Sequence, residues 1–167
     1  ELAQWARRLA DEGYFGLMLP AEYGGMGQGL VAYAICMEEI ARACASCALI
    51  WGVHSSLVAG SILAWGTDEQ KQRCLPPLGR GEVLGAFCLT EPQAGSDAGA
   101  VKTTARREGS WYVLDGEKMF VTSGGVAGLY LVIASTDPAQ GSRGLTVFLV
   151  EKDRAGISFG PPLEKMG

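Results

Sequence analysis

Hydrophobic positions along the chain change period once. From residue 1 to about 80 they recur with the helical spacing. Trp5, Ala6, Leu9 and Ala10 follow the i, i+3, i+4 rule, and Gly13 and Gly16 end that first helix. A glycine-rich connection follows over 20–29. The pattern then predicts a second helix over 30–45, with Glu38, Glu39 and Arg42 facing water, and a third over 49–65. Thr67-Asp68-Glu69-Gln70 fits a capping box that starts a further helix, and Pro76-Pro77 is expected to stop it. After Gly81 the period becomes two. Strands are predicted over 84–89, 101–107, 111–114, 119–122, 129–135, 145–150 and 157–159, with turn residues between them, such as Asp115-Gly116 and Asp137-Pro138.

Helices first and strands afterwards predict an α+β chain. An all-α helical subdomain over 1–82 would precede an antiparallel β-barrel or sandwich over 83–167. That order argues against a doubly wound nucleotide fold, in which strands and helices alternate. Gly25, Gly27 and Gly29 have the wrong spacing for a dinucleotide fingerprint and no strand before them, so a turn-forming role is favoured.

Composition narrows the chemistry. Of the 167 residues, 48% are hydrophobic and 19% charged, which is a globular balance. The net charge is −4, with no basic run, so nucleic acid is not an expected partner. The most apolar stretch, 47–65, approaches the length of a membrane span. His54, Ser55 and Ser56 at its centre favour a buried core helix, and no membrane association is expected. No signal-like N-terminus is read. Five cysteines, an odd number, suit reduced thiols. Cys44 and Cys47 form a C-x-x-C pair. A zinc site would need two further ligands, so no metal site is expected, and small buried residues on a packed helix are the favoured reading of the pair. His54 beside Ser55 does not make a dyad, because neighbours on a helix diverge by about 100°. A structural histidine is favoured.

One loop carries candidate chemistry. The strand Phe87-Cys88-Leu89-Thr90 breaks at Glu91-Pro92 into a run of small residues through Gly95-Ser96-Asp97. Such a loop lets backbone N–H groups approach a flat or anionic ligand. On physical grounds alone it is also an ordinary strand-to-loop transition.

Four motifs, in order, raise its significance. Phe87 to Gly99 reads F-C-L-T-E-P-Q-A-G-S-D-A-G. Residues 116–125 read G-E-K-M-F-V-T-S-G-G. Residues 20–27 read P-A-E-Y-G-G-M-G, and 67–71 read T-D-E-Q-K. Together they resemble the acyl-CoA dehydrogenase family over nearly the whole chain. The resemblance implies the family's N-terminal helical domain, without its first helix, and its middle β domain. It implies FAD as cofactor. Leu89 and Thr90 would contact the pyrimidine end of the flavin. Gly95 and Ser96 would lie near the ribityl–phosphate region, with Ser96 also near the thioester substrate. Phe120 would stack on the other flavin face, Val121 would lie beside it, and Thr122 would bond near N5. Phe87 would also belong to the cofactor-binding set; it stands where tyrosine is common, and Phe120 where tryptophan is common; Gln93 replaces a frequent glycine. Val53 and Leu57 would border the acyl chain. The implied reaction oxidises the Cα–Cβ bond of an acyl-CoA to a trans-2-enoyl-CoA. Electrons would pass to an electron-transferring flavoprotein.

The family's proton-abstracting glutamate lies in a C-terminal helical domain, and no residue here matches it. Glu91, beside a proline, is a poor candidate for the base. The fragment is therefore expected to be inactive alone. Alternatives are a truncated flavin- or acyl-CoA-binding module, or a related oxidase or flavin monooxygenase. A homotetramer or dimer is implied for the full-length protein, in the bacterial cytoplasm or the mitochondrial matrix.

Overall fold

The computed structural model describes residues 2–165. Helix α1, Leu2–Asp11, ends before Gly13, whose φ of 77° suits glycine. Helix α2, Leu30–Ala43, is separated by Cys44 alone from α3, Ala45–Gly52. The helix continues through a π-helical stretch, Val53–Ala59, into α4, Gly60–Trp65. Its 21 residues are long and apolar enough to cross a membrane by length and composition. In this fold its Trp51, Val58 and Ile62 are core residues.

The capping box forms as expected. The Gln70 N–H donates to Thr67 Oγ1 at 3.2 Å, and the Thr67 N–H donates to Gln70 Oε1 at 2.9 Å. Helix α5, Asp68–Gly79, does not stop at the proline pair. Proline's fixed φ is helical, and what it removes is an N–H. The carbonyls of Pro76 and Pro77 still accept, from the N–H groups of Arg80 and of Glu82 and Val83. The prolines therefore lie in the last turn.

Five strands form one sheet: β1 Gly85–Cys88, β2 Thr104–Glu108, β3 Trp111–Asp115, β4 Leu129–Ser135 and β5 Leu145–Glu151. The α+β order stands, but the sheet is mixed and not wholly antiparallel. Central β4 pairs antiparallel with β5, from Leu129↔Glu151 to Ser135↔Leu145. It pairs parallel with β1, from Gly85↔Leu129 to Cys88↔Val132. Strand β2 touches β4 only at Thr104↔Ser135 and then forms a hairpin with β3. Period-two patterning reveals which face a strand buries, and it is silent on the direction of the neighbour.

Two predicted strands are absent. Over 119–122 the chain cannot stay extended, because Phe120 (φ 56°) and Ser123 (φ 64°) are left-handed. Residues 157–159 do not pair; the Phe159 ring packs on Tyr130 with centroids 5.5 Å apart.

Alternation along β4 distributes the core. Leu129 and Leu131 pack with Val58, Ile62, Leu75 and Leu78 of the helices. Tyr130 packs on the other face with Ala86, Cys88 and Ala127. Gly85 is required where β1 meets the π-helical stretch, since a Cβ there would lie 2.6 Å from Val58 Cγ1.

A candidate cofactor edge held by a buried carboxylate

Strand β1 delivers Leu89 and Thr90 to the sheet's edge, and the chain then turns sharply at Glu91. The Glu91 N–H and C=O exchange bonds with Ala94 at 2.8 and 3.1 Å, closing a tight turn around Pro92-Gln93. The Glu91 side chain points inward and the residue is only 3% exposed. Its Oε1 accepts from Lys118 Nζ at 2.7 Å, the Thr103 N–H at 3.0 Å and Thr103 Oγ1 at 2.5 Å. Its Oε2 accepts from the Lys102 N–H at 2.7 Å and Gln93 Nε2 at 2.5 Å. Burial pushes the carboxyl pKa up, but these donors outweigh it and lower the value to about 2. A carboxylate so well satisfied is a poor proton acceptor, so Glu91 is a clamp and not a base.

The clamp joins the two sequence segments that carry the family resemblance. Lys118 Nζ bonds Glu91 and also donates to the Leu89 carbonyl at 3.1 Å. The next N–H, that of Met119, donates to the Thr90 carbonyl at 2.9 Å. Leu89-Thr90 and Lys118-Met119 therefore lie side by side although they are far apart in sequence.

Immediately beyond this junction comes Phe120. Its backbone is left-handed, a conformation uncommon for any residue with a Cβ and more so for a bulky one. The residue is 66% exposed. A large aromatic displayed to solvent from a strained backbone, three residues before a second left-handed non-glycine, marks a candidate functional edge. Val121 and Thr122 are half-buried beside it, and Val121 packs against the Ala86–Tyr130 cluster. Lys152 Nζ secures the far end of the turn by donating to the Gly125 carbonyl at 2.7 Å.

Gly95 and Ser96 are exposed in the loop after the Glu91 turn, and nothing lies within 4 Å of where a Gly95 Cβ would be. Phe87 is half-buried and packs between two core clusters, with Leu131 on one side and Ala94 and Ile133 on the other. It supports the strand from within.

Val53 and Leu57 belong to the π-helical stretch, half-buried and 42% exposed respectively. π-helical turns are rare and recur at functional sites. His54 fixes this one in place. The Gly85 N–H donates to His54 Nδ1 at 3.0 Å, so the neutral ring carries its proton on Nε2, which donates to the Leu78 carbonyl at 3.1 Å. Burial pulls the His54 pKa down to about 4, against the raising effect of the Leu78 carbonyl. His54 is structural, as favoured from its spacing, and it ties the helix to the start of β1.

The network around Glu91 is what sequence reading missed. Lys118 was visible within its motif and Glu91 within its own, but nothing local pairs them. A buried-charge argument could have done so: an acidic residue straight after a core strand needs a cation.

Comparison with known proteins places the chain. Residues 2–82 match the model of the acyl-CoA dehydrogenase N-terminal domain, and residues 86–167 match that of the acyl-CoA dehydrogenase middle domain. A 3-(aryl)acrylate reductase of Clostridium sporogenes is 47% identical over 161 residues, covering 96% of this chain and 43% of that protein. A short-chain specific acyl-CoA dehydrogenase of Clostridium acetobutylicum is 42% identical, covering 96% and 42%. The solved structure of a glutaryl-CoA dehydrogenase from Mycobacterium smegmatis in complex with FADH2 superimposes with a TM-score of 0.90 at 34% identity, covering 98% of this chain and 41% of that one. The helical layer and the mixed sheet are thus those of a recurring architecture. The chain belongs to the acyl-CoA dehydrogenase family, and it spans less than half the length of the relatives it matches.

Proposed function

We propose that this chain is the cofactor- and thioester-holding part of an FAD-dependent acyl-CoA dehydrogenase, with a helical unit over 1–82 and a sheet unit over 83–167. One observation carries the reading. The Lys118 and Met119 bonds to the Leu89 and Thr90 carbonyls bring the end of β1 alongside the residues that lead into the exposed, strained Phe120.

The residues present fit a flavin. Phe120 offers a free aromatic face for stacking. Thr90 and Thr122 offer hydroxyls, and the exposed Gly95-Ser96 loop lets a phosphate-bearing chain come close to the backbone. Leu89 and Val121 supply apolar walls, and Phe87 anchors the strand behind them. FAD, when bound, supplies the hydride acceptor. This chain's residues orient it: Thr90 at the pyrimidine end, Thr122 near N5, Ser96 toward the thioester. Val53 and Leu57 bound the acyl chain. Proton abstraction belongs to a glutamate outside these residues.

The substrate is accordingly an acyl-CoA oxidised to the trans-2-enoyl-CoA, and the electron acceptor an electron-transferring flavoprotein. The whole protein is a homo-oligomer of the bacterial cytoplasm or the mitochondrial matrix. Five free cysteines are compatible with a reducing compartment.

The test is spectroscopic. The full-length protein should purify yellow and bleach on adding an acyl-CoA without oxygen. A colourless protein that FAD does not reconstitute overturns the reading. A second direction has one observation behind it: the 47% identical relative is named for reducing an acrylate. Assay with an aryl acrylate and a reduced donor separates reductase from dehydrogenase, and rapid reoxidation by oxygen would instead identify an oxidase. In an active dehydrogenase Leu57→Ala should move the preferred chain length upward; an unchanged preference removes Leu57 from the pocket.

A further inference from the structure

The C-x-x-C pair at Cys44 and Cys47 is left unused by the proposed chemistry, and its setting differs from the buried packing that its composition favoured. Cys44 is exposed and Cys47 half-buried. Cys44 is the sole residue between α2 and α3. Its N–H donates to the Ile40 carbonyl at 2.8 Å, closing α2, and its carbonyl accepts from the Ala48 N–H at 3.1 Å, opening α3. With φ −158° and ψ 106° it has the extended backbone of an N-cap residue. Cys47 stands at the third helical position, the one that an N-cap side chain faces in a capping box. Side chains three apart on a helix are neighbours, about 5–6 Å between Cβ atoms. Closing a disulfide needs about 4 Å, a small adjustment at a one-residue hinge.

We propose that Cys44 and Cys47 form a dithiol site that exchanges with low-molecular-weight disulfides, closing reversibly into an intramolecular disulfide at the α2–α3 hinge. The two thiols have unequal parts. The backbone N–H of Cys47 and the Cys47 thiol favour the Cys44 thiolate and pull its pKa below the ordinary value, whereas burial pushes that of Cys47 up to about 11. Cys44 is the attacking sulfur and Cys47 the resolving one. The Cys44 thiolate displaces one thiolate from the small disulfide, breaking its S–S bond and forming a mixed disulfide. Cys47 then gives its proton to solvent and attacks Cys44 Sγ, expelling the second thiolate. Two protein thiols are oxidised, one small disulfide is reduced to two thiols, and the reverse reaction restores the start. The other three cysteines offer no such pair: Cys36 is half-buried, and Cys74 and Cys88 are buried.

The site is independent of flavin binding, and so is its test. The reduced full-length protein is incubated at pH 7 with glutathione disulfide, quenched with iodoacetamide and mapped by peptide mass. In the wild type Cys44 and Cys47 should both become resistant to alkylation without retaining glutathione. Cys47→Ser should retain one glutathione on Cys44, formed at least about ten-fold faster than any adduct on Cys36. Cys44→Ser keeps a good N-cap residue, so folding is preserved, and it should leave Cys47 alkylatable and unmodified. Wild-type protein whose two thiols stay alkylatable, or which accumulates glutathione on Cys44 without closure, overturns the proposal.

Discussion

Two buried polar side chains hold this molecule together, and they do it in opposite ways. Glu91, at the edge of the sheet, is charged, surrounded by donors and paired with a lysine. His54, inside the helical layer, is neutral and makes one bond through each ring nitrogen. Both join segments distant in sequence. A charge can organise several donors at once, and it collapses badly when its partner is lost. A neutral ring organises two groups and tolerates an apolar shell, here with Phe15 at a centroid distance of 4.6 Å. The edge of the sheet, where the chain turns sharply, uses the charge; the interior of the helical layer uses the ring.

The largest break should come at the sheet. Glu91→Leu leaves Lys118, its side chain only 11% exposed, without its carboxylate and leaves the Lys102 and Thr103 N–H groups without acceptors. Removing one partner of a buried ion pair costs about 3–5 kcal/mol, and each orphaned N–H group adds about 1–3 kcal/mol. Urea unfolding of the full-length protein should show that loss. A drop below about 1 kcal/mol would mean the clamp is dispensable.

At the ring the expected loss is smaller. His54→Leu orphans the Gly85 N–H and the Leu78 carbonyl, each worth about 1–3 kcal/mol when buried unpaired. The same residue sharpens the comparison through pH. His54 has a folded pKa of about 4 against an ordinary 6.5. Below 6.5 the unfolded chain takes up a proton that the folded one refuses. Stability from this group is therefore complete above 6.5 and is lost as pH falls toward 4, by about 3 kcal/mol in total. Glu91 titrates lower, between its ordinary 4.5 and about 2, and its contribution also disappears as pH falls. Denaturation midpoints measured from pH 7 to pH 3 should thus decline in two stages. The first stage should vanish in His54→Leu and the second in Glu91→Leu. A single unaltered decline in both variants would show that neither group governs acid stability.

The exposed cap provides the lower bound. Thr67→Ala removes one acceptor from the first turn of α5 and should cost about 1 kcal/mol. A loss as large as that at Glu91 would erase the distinction between buried and exposed polar pairs.

That cap also marks what could be read from the chain alone. Thr67 and Gln70 are three residues apart, so their bond is written in local sequence. The same holds for the end of α1 at Gly13 and for the face of β4 that Leu129 and Leu131 bury. What was not legible depends on partners brought from afar. The parallel pairing of β1 with β4 links Gly85 to Leu129, and no local pattern encodes its direction. Lys118 meets Glu91 across 27 residues of sequence, and no local pattern pairs them. The strand expected over 119–122 failed because alternation in Met119-Phe120-Val121-Thr122 satisfies a strand template, whereas the tertiary tethers at Met119 and Gly125 impose turns. Proline's effect at 76–77 was overestimated, since its fixed φ is compatible with a helix and α5 runs on to Gly79.

The left-handed backbone at Phe120 has an evolutionary consequence. Glycine would sit there without steric cost, and removing the strain would stabilise the fold by roughly 1 kcal/mol or more. It would also delete the ring that the edge displays. Under the proposed flavin role, selection for heat resistance and selection for cofactor retention therefore pull this position in opposite directions. A saturation library at 120 screened only for survival at high temperature should fill with glycine and asparagine. The same library screened for yellow protein should keep its aromatic residues.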